Sequence, residues 1–111
     1  MSSVAVAVAV EPTRDPDALL GGLCDALLTA STAEDMRLLL LDLCTPAEIR
    51  TLAERWHVAC LLDETQLPYR EIHDRTGVST TTIVRVGRFL RQEPHQGYRR
   101  AIDRLRGRDA Q

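Results

Sequence analysis

The chain has 111 residues, a formal net charge of -2, 44% hydrophobic residues and only 4% aromatic ones. This length predicts one domain with a modest core, filled by Leu, Ala, Val and Ile. No apolar run in the chain is long enough to span a membrane.

The charge is unevenly placed. Residues 1–67 hold 4 Arg against 11 Asp and Glu, a balance of -7, whereas residues 68–111 hold 10 Arg against 5, a balance of +5. A basic half predicts a polyanionic partner, with nucleic acid foremost. All 14 basic residues are Arg, which suits phosphate and guanine edges, although a chain without Lys reads foremost as the product of a GC-rich genome. The three cysteines, Cys24, Cys44 and Cys60, are odd in number and show no CxxC. They predict small buried thiols in a reducing cytoplasm rather than a disulfide framework. Cys44, His57 and Cys60 do not follow a usual zinc spacing, so no metal site is expected.

SSVAVAVAV at residues 2–10 has no basic segment before it, and acidic sequence with prolines follows (EPTRDPD). It does not read as a signal peptide. Residues 1–16 are expected to form a flexible arm, with an edge strand as the other option. A helical domain is expected over residues 17–106, and a frayed end over 107–111.

Within that domain the punctuation predicts six helices. The first runs from Asp17 to about Thr29, with Asp15 or Asp17 near its start. Ser31 or Thr32 caps the second, whose first turn holds Glu34 and Asp35. Thr45-Pro46 restarts the chain with Thr as N-cap, Pro at N1 and Glu48 at N3. This third helix is the longest, from Pro46 to about Glu64. Ile49, Leu52, Ala53, Trp56, Ala59 and Cys60 form an apolar stripe, and Val58, Leu61 and Leu62 widen it. So broad an apolar face predicts burial on two sides, one of them by a second chain. The fourth helix spans Pro68 to Thr76 and stops at Gly77. The fifth runs from Thr80 to about Arg91 and stops before Glu93-Pro94. The sixth runs from Gly97 to about Arg106.

The stretch YREIHDRTGVSTTTIVRVGRFLR, residues 69–91, has the layout of a helix-turn-helix. Two helices crossing steeply need a residue that accepts positive φ at the turn, and Gly77 supplies it. Ile72, Val78, Ile83 and Val86 stand where the two helices must face each other and the core. His73 stands where a small residue is usual, so it must tilt outward or the crossing must widen. In such a unit the second helix enters the major groove with its N-terminal end towards the bases. Ser79, Thr80, Thr81 and Thr82 are the expected hydroxyl contacts there. Arg85, Arg88 and, on the first helix, Arg70 are the expected phosphate contacts.

LCTPAEIRTLAERWHVACLL, LPYREIHDRTGVSTTTIVRVGRFLR and GYRRAIDRL together resemble the Trp-repressor-like family, in its YerC/YecD branch, over roughly Leu39 to Leu105. The branch pattern resembles LCT-x2-E-I-x2-LA-x-R-x3-A followed by Y-x-EI-x-x-RTG-x-ST-x-TI-x-RV-x-R. The resemblance implies an all-α fold of about six helices, an intertwined homodimer, and a cytoplasmic transcriptional regulator, a repressor, that binds double-stranded DNA. It also implies three positions for an amino-acid corepressor: Thr45, Arg55 and Arg85. An amino-acid corepressor would meet Val86 where the family's repressor has Gly, and Phe89 where it has Ser. Both enlarge the pocket wall, so no cofactor is expected. Arg55 has a structural reading as well, an ion pair with Glu48 or Glu54 or with the partner chain.

Two other readings fit parts of the same sequence. One is a promoter reader like a sigma-factor region, which would lack the leading helix pair and the trailing GYRRAIDRL helix. The other is a helical protein-interaction module with no DNA role. No nucleophile with a base beside it, no paired carboxylates at a glycine turn and no phosphate loop occur, so the sequence predicts no enzyme. His57 and His95 have no partner constellation, and Trp56 is expected in the core.

Overall fold

The computed structural model describes residues 10–107. Residues 1–9 of the expected arm and residues 108–111 of the expected frayed end lie outside the described residues. Six α-helices are present: α1 Pro16–Leu28, α2 Ala33–Leu43, α3 Pro46–Glu64, α4 Tyr69–Thr76, α5 Thr80–Arg91 and α6 Gly97–Leu105. No strand occurs among the described residues, so the fold is all-α.

Each helix starts where its chemistry allows. α1 begins at Pro16, one residue inside the expected arm, because Asp15 caps it and accepts a hydrogen bond from Asp17 N. Thr32 Oγ1 accepts from Asp35 N at 3.1 Å and opens α2. Thr45 and Glu48 close a reciprocal capping box: Thr45 Oγ1 accepts from Glu48 N at 3.1 Å, and Glu48 Oε1 accepts from Thr45 N at 2.8 Å. That satisfies two of the helix's orphan donors and fixes the start of α3. α4 begins at Tyr69, with Pro68 as its N-cap and no side-chain cap.

The chain falls into two compact units, one ending at Leu43 and one starting at Cys44. The first holds α1 and α2, and neither helix has a fully buried residue. Leu19, Leu20, Leu23, Leu28, Leu38, Leu41 and Leu43 are all exposed, from 39% at Leu23 to 82% at Leu28. Cys24 is exposed and Cys44 and Cys60 are half-buried. This corrects the expectation of buried thiols: the apolar neighbours of Cys24 are themselves uncovered.

The second unit has a finished core. Val58, Ala59 and Leu62 of α3, Ile72 of α4, Val78 of the turn, Ile83, Val86 and Leu90 of α5, and Ile102 of α6 form one buried cluster. α5 lies at its centre, packed on α3, α4 and α6. The apolar stripe of α3 is thus used only in its C-terminal half. Leu52, on the N-terminal half, remains 48% exposed. Trp56 is half-buried at the edge of the cluster, tilted against Tyr98 with ring centroids 6.3 Å apart.

Polar ties hold the ends of this unit. Arg99 of α6 bonds Asp63 of α3 at 2.5 Å and Asp103 at 3.0 Å. Those hydrogen bonds, that to Asp63 foremost, raise the guanidinium above its ordinary pKa. Arg106 pairs with Asp63 and Glu64. Arg91 of α5 donates to the carbonyl of Leu62 at 3.2 Å and lies 3.5 Å from Tyr69 Oη. Gly87 is buried, and a Cβ there would collide with Tyr69 Oη. Only glycine allows α5 to approach the tyrosine so closely.

Candidate nucleic-acid interface

α4, the turn and α5 form a helix-turn-helix. Gly77 ends α4 in the left-handed region, at φ 76° and ψ 0°, and its N–H donates to His73 O at 2.9 Å. Four aliphatic residues lock the two helices together: Ile72, Ile83 and Val86 have no exposed surface, and Val78 has 3%. These are the four positions the sequence spacing indicated.

The turn has further side-chain ties. Thr76 Oγ1 donates to Ile72 O at 2.6 Å and accepts from Val78 N at 3.1 Å. His73, standing where a small residue is usual, is accommodated by tilting outward. It is exposed, and its Nδ1 lies 2.7 Å from Val78 O. A carbonyl can only accept, so Nδ1 carries the proton and donates across the turn.

The hydroxyl residues divide into two kinds. Ser79 is the N-cap of α5: its Oγ accepts from Thr82 N at 3.2 Å and donates to Thr82 Oγ1 at 3.0 Å. Thr82 is half-buried. Of the four expected hydroxyl contacts, Ser79 and Thr82 are thus engaged with each other in the cap. Thr80 and Thr81 are exposed at the start of the helix. Val84, which the spacing of the sequence did not mark, is 54% exposed. It lies one turn beyond Thr80 and Thr81 on the same helix face. Its place after buried Ile83 was the available signal.

The arginines divide likewise. Arg85 is exposed, and its guanidinium carbon sits 4.4 Å from the centre of the Phe89 ring. Arg88 lies 5.2 Å from that ring and is also paired with Glu93 at 3.5 Å, both partners touching solvent. Arg70 of α4 is exposed, whereas Arg75, also on α4, pairs with Glu71 at 3.4 Å. Together, Thr80, Thr81, Val84, Arg85 and Arg88 give α5 an outer face of hydroxyls, one methyl pair and cations. Such a face matches the major groove, where donors, acceptors and thymine methyls are displayed between phosphate rows.

The resemblance links Thr45, Arg55 and Arg85 to an amino-acid ligand. A hollow of 280 Å³ beside Arg85 is lined by Arg85, Phe89, His95, Gly97 and Tyr98, and includes neither Thr45 nor Arg55. Thr45 is committed to the capping box. Arg55 is half-buried, and its Nε is enclosed with no hydrogen-bond partner among the described residues. The expected ion pair with Glu48 is not formed, since Glu48 turns back to Thr45 N. Val86 is fully buried and Phe89 half-buried. Among the described residues no cluster of His, Cys, Asp and Glu is arranged to hold a metal ion, and no helix is long and apolar enough to cross a membrane.

The profile of the family described as "Trp repressor protein" matches residues 18–106, so the match begins well before Leu39 and takes in α1 and α2. The chain is similar to a Bacillus subtilis (strain 168) protein named "Uncharacterized protein YerC", with 38% identity over 87 residues, 78% of this chain and 82% of the relative. No solved structure was found to match it. With the helix-turn-helix in place and the family profile extending from α1 to the end of α6, the chain belongs to the Trp repressor family.

Proposed function

We propose that the protein is a homodimeric transcriptional regulator, a repressor, that reads a specific double-stranded DNA sequence in the cytoplasm. The observation that carries this reading is the outer face of α5. Thr80, Thr81, Val84, Arg85 and Arg88 are presented together on a helix whose opposite face, Ile83, Val86 and Leu90, is buried. A helix with so rigid a seat and so mixed a polar face suits base reading flanked by phosphate contact. Thr80, Thr81 and Val84 are assigned to base edges and thymine methyls. Arg70, Arg85 and Arg88 are assigned to phosphates. Ser79 and Thr82 act by fixing the start of the helix, whose N-terminal N–H groups favour a phosphate nearby.

The dimer reading rests on the exposed leucines of α1 and α2 and on Leu52. Seven leucines in two consecutive helices are exposed in the single chain, apolar side chains of the kind an interface covers. A second copy would cover them and complete the helical domain of residues 17–106. No cofactor enters this reading: Val86 and Phe89 stand where the family's repressor carries smaller residues, and no catalytic group is assigned.

Selection of random duplex DNA by the purified protein tests the proposal. The expected result is an enriched inverted repeat whose half-sites lie about one helical turn apart, ~34 Å, as two-fold related reading helices require. Enrichment abolished in both Thr81→Ala and Arg85→Ala would place recognition on α5. A pool left unenriched at near-physiological salt would contradict the reading.

A further inference from the structure

Arg85 and Arg88 are held in different ways. Arg88 has a carboxylate partner, Glu93, at 3.5 Å. Arg85 takes part in none of the ion pairs of the described residues. It rests instead on an aromatic ring, with its guanidinium carbon 4.4 Å from the Phe89 centroid, and Arg88 leans on the same ring at 5.2 Å. Phe89 is set one turn after Arg85 on α5 and is half-buried, outside the core cluster. Its ring is in turn stacked on His95, with centroids 6.0 Å apart and planes 13° from parallel. His95 follows Pro94 in the α5–α6 connection, so the ring is anchored from beyond its own helix.

The two ways of holding an arginine have different consequences for a third party. A carboxylate takes up the N–H groups that a phosphate would need, and it cancels charge. An aromatic face attracts the cation through its quadrupole and leaves the in-plane N–H donors unspent. A stacked guanidinium therefore keeps its charge and all five donors while giving up much of its rotamer freedom. Such freedom is otherwise lost at binding, when a long side chain is immobilised on its target.

We propose that Phe89 is a positioning residue for DNA binding: its ring is a platform, braced by His95, that presets the guanidinium of Arg85, and secondarily that of Arg88, for the DNA backbone. The aromatic side chain at this position of α5 thus serves the reading head from behind, without touching the nucleic acid. This rests on the DNA-reading assignment of α5 above.

The test compares Phe89→Leu, which keeps apolar volume and removes the π face, with Phe89→Tyr, which keeps the face. Each is titrated with the duplex selected by the wild type, in the Arg85 and the Arg85→Ala backgrounds, and the side-chain protons of Arg85 are followed by NMR in the free proteins. Thermal melts confirm that every variant is folded. The platform predicts ring-shifted Arg85 protons in the wild type and in Phe89→Tyr, and an unshifted set in Phe89→Leu. It predicts that Phe89→Leu weakens duplex binding about threefold to tenfold, that Phe89→Tyr restores it, and that most of the Phe89→Leu loss disappears once Arg85 is Ala, leaving only the smaller share carried by Arg88. Wild-type affinity in Phe89→Leu would overturn the platform while leaving DNA reading intact. So would an equal loss in both backgrounds, which would mark Phe89 as packing only. Absence of duplex binding by the wild type would overturn the DNA reading, and the platform with it.

Discussion

The two halves of this chain solve the problem of apolar surface in opposite ways. From Cys44 onward, nine residues are at most 5% exposed and lock three helices, α3, α4 and α6, around α5. Up to Leu43, the leucines are no scarcer, yet none in α1 or α2 is buried. Leu28 is 82% exposed and Leu38 50%. The difference lies in partners rather than in hydrophobicity. α3 to α6 bring four faces together, whereas α1 and α2 present leucines with nothing of their own unit to cover them. A helical unit with a finished core, following in sequence order a helix pair with uncovered leucines, is the pattern on which the proposed assembly rests.

That contrast can be tested from both sides. Ile83→Ala removes a side chain with no exposed surface at the centre of the finished core. It should cost about 2–5 kcal/mol in chemical denaturation and abolish DNA binding through loss of the fold. Leu41→Glu places a charge on the uncovered helix pair, at a residue 49% exposed in the single chain. If a second copy covers that surface, sedimentation should show dimerisation weakened about 10- to 100-fold, a loss of roughly 1.4–2.8 kcal/mol. An unchanged oligomeric state would remove the basis for assembly through α1 and α2.

Gly87→Ala probes how tightly α5 is seated. The added Cβ meets the Tyr69 hydroxyl, so a melt should show about 1–3 kcal/mol of destabilisation. Tyr69→Phe should relieve much of it. Thr45→Ala deletes one half of the capping box at the boundary between the two units. The expected loss is about 1 kcal/mol, small beside the core change.

The second half was also the more legible in the sequence, for physical reasons. Thr45-Pro46 and Glu48 announce a helix start because the cap chemistry is local. Gly77 announces the turn because few other residues accept its φ. The aliphatic spacing of Ile72, Val78, Ile83 and Val86 fixes the crossing because those residues must touch. Less legible were features set by side-chain choices between alternatives. Nothing in STTT says which hydroxyl caps the helix, and in the fold Ser79 engages Thr82 and leaves Thr80 and Thr81 outward. Arg85 and Arg88 read alike, but one leans on Phe89 and the other also reaches Glu93. Cys24 read as buried because its neighbours are apolar, and burial depends on what covers those neighbours.

The central claim is that the outer face of α5 binds duplex DNA, and one titration tests it most directly. Anisotropy of a labelled selected duplex, measured at several salt concentrations with wild type and Arg85→Ala, should show two chains per duplex and an affinity falling steeply with salt. The slope of log K against log salt reports phosphates neutralised, at ~0.9 for each phosphate. Arg85→Ala should weaken binding about equally on all duplexes and make the slope shallower by about one unit for every phosphate no longer neutralised. Affinity that ignores salt and is unchanged in Arg85→Ala would contradict the claim and leave α4 and α5 as a helical hairpin serving another partner.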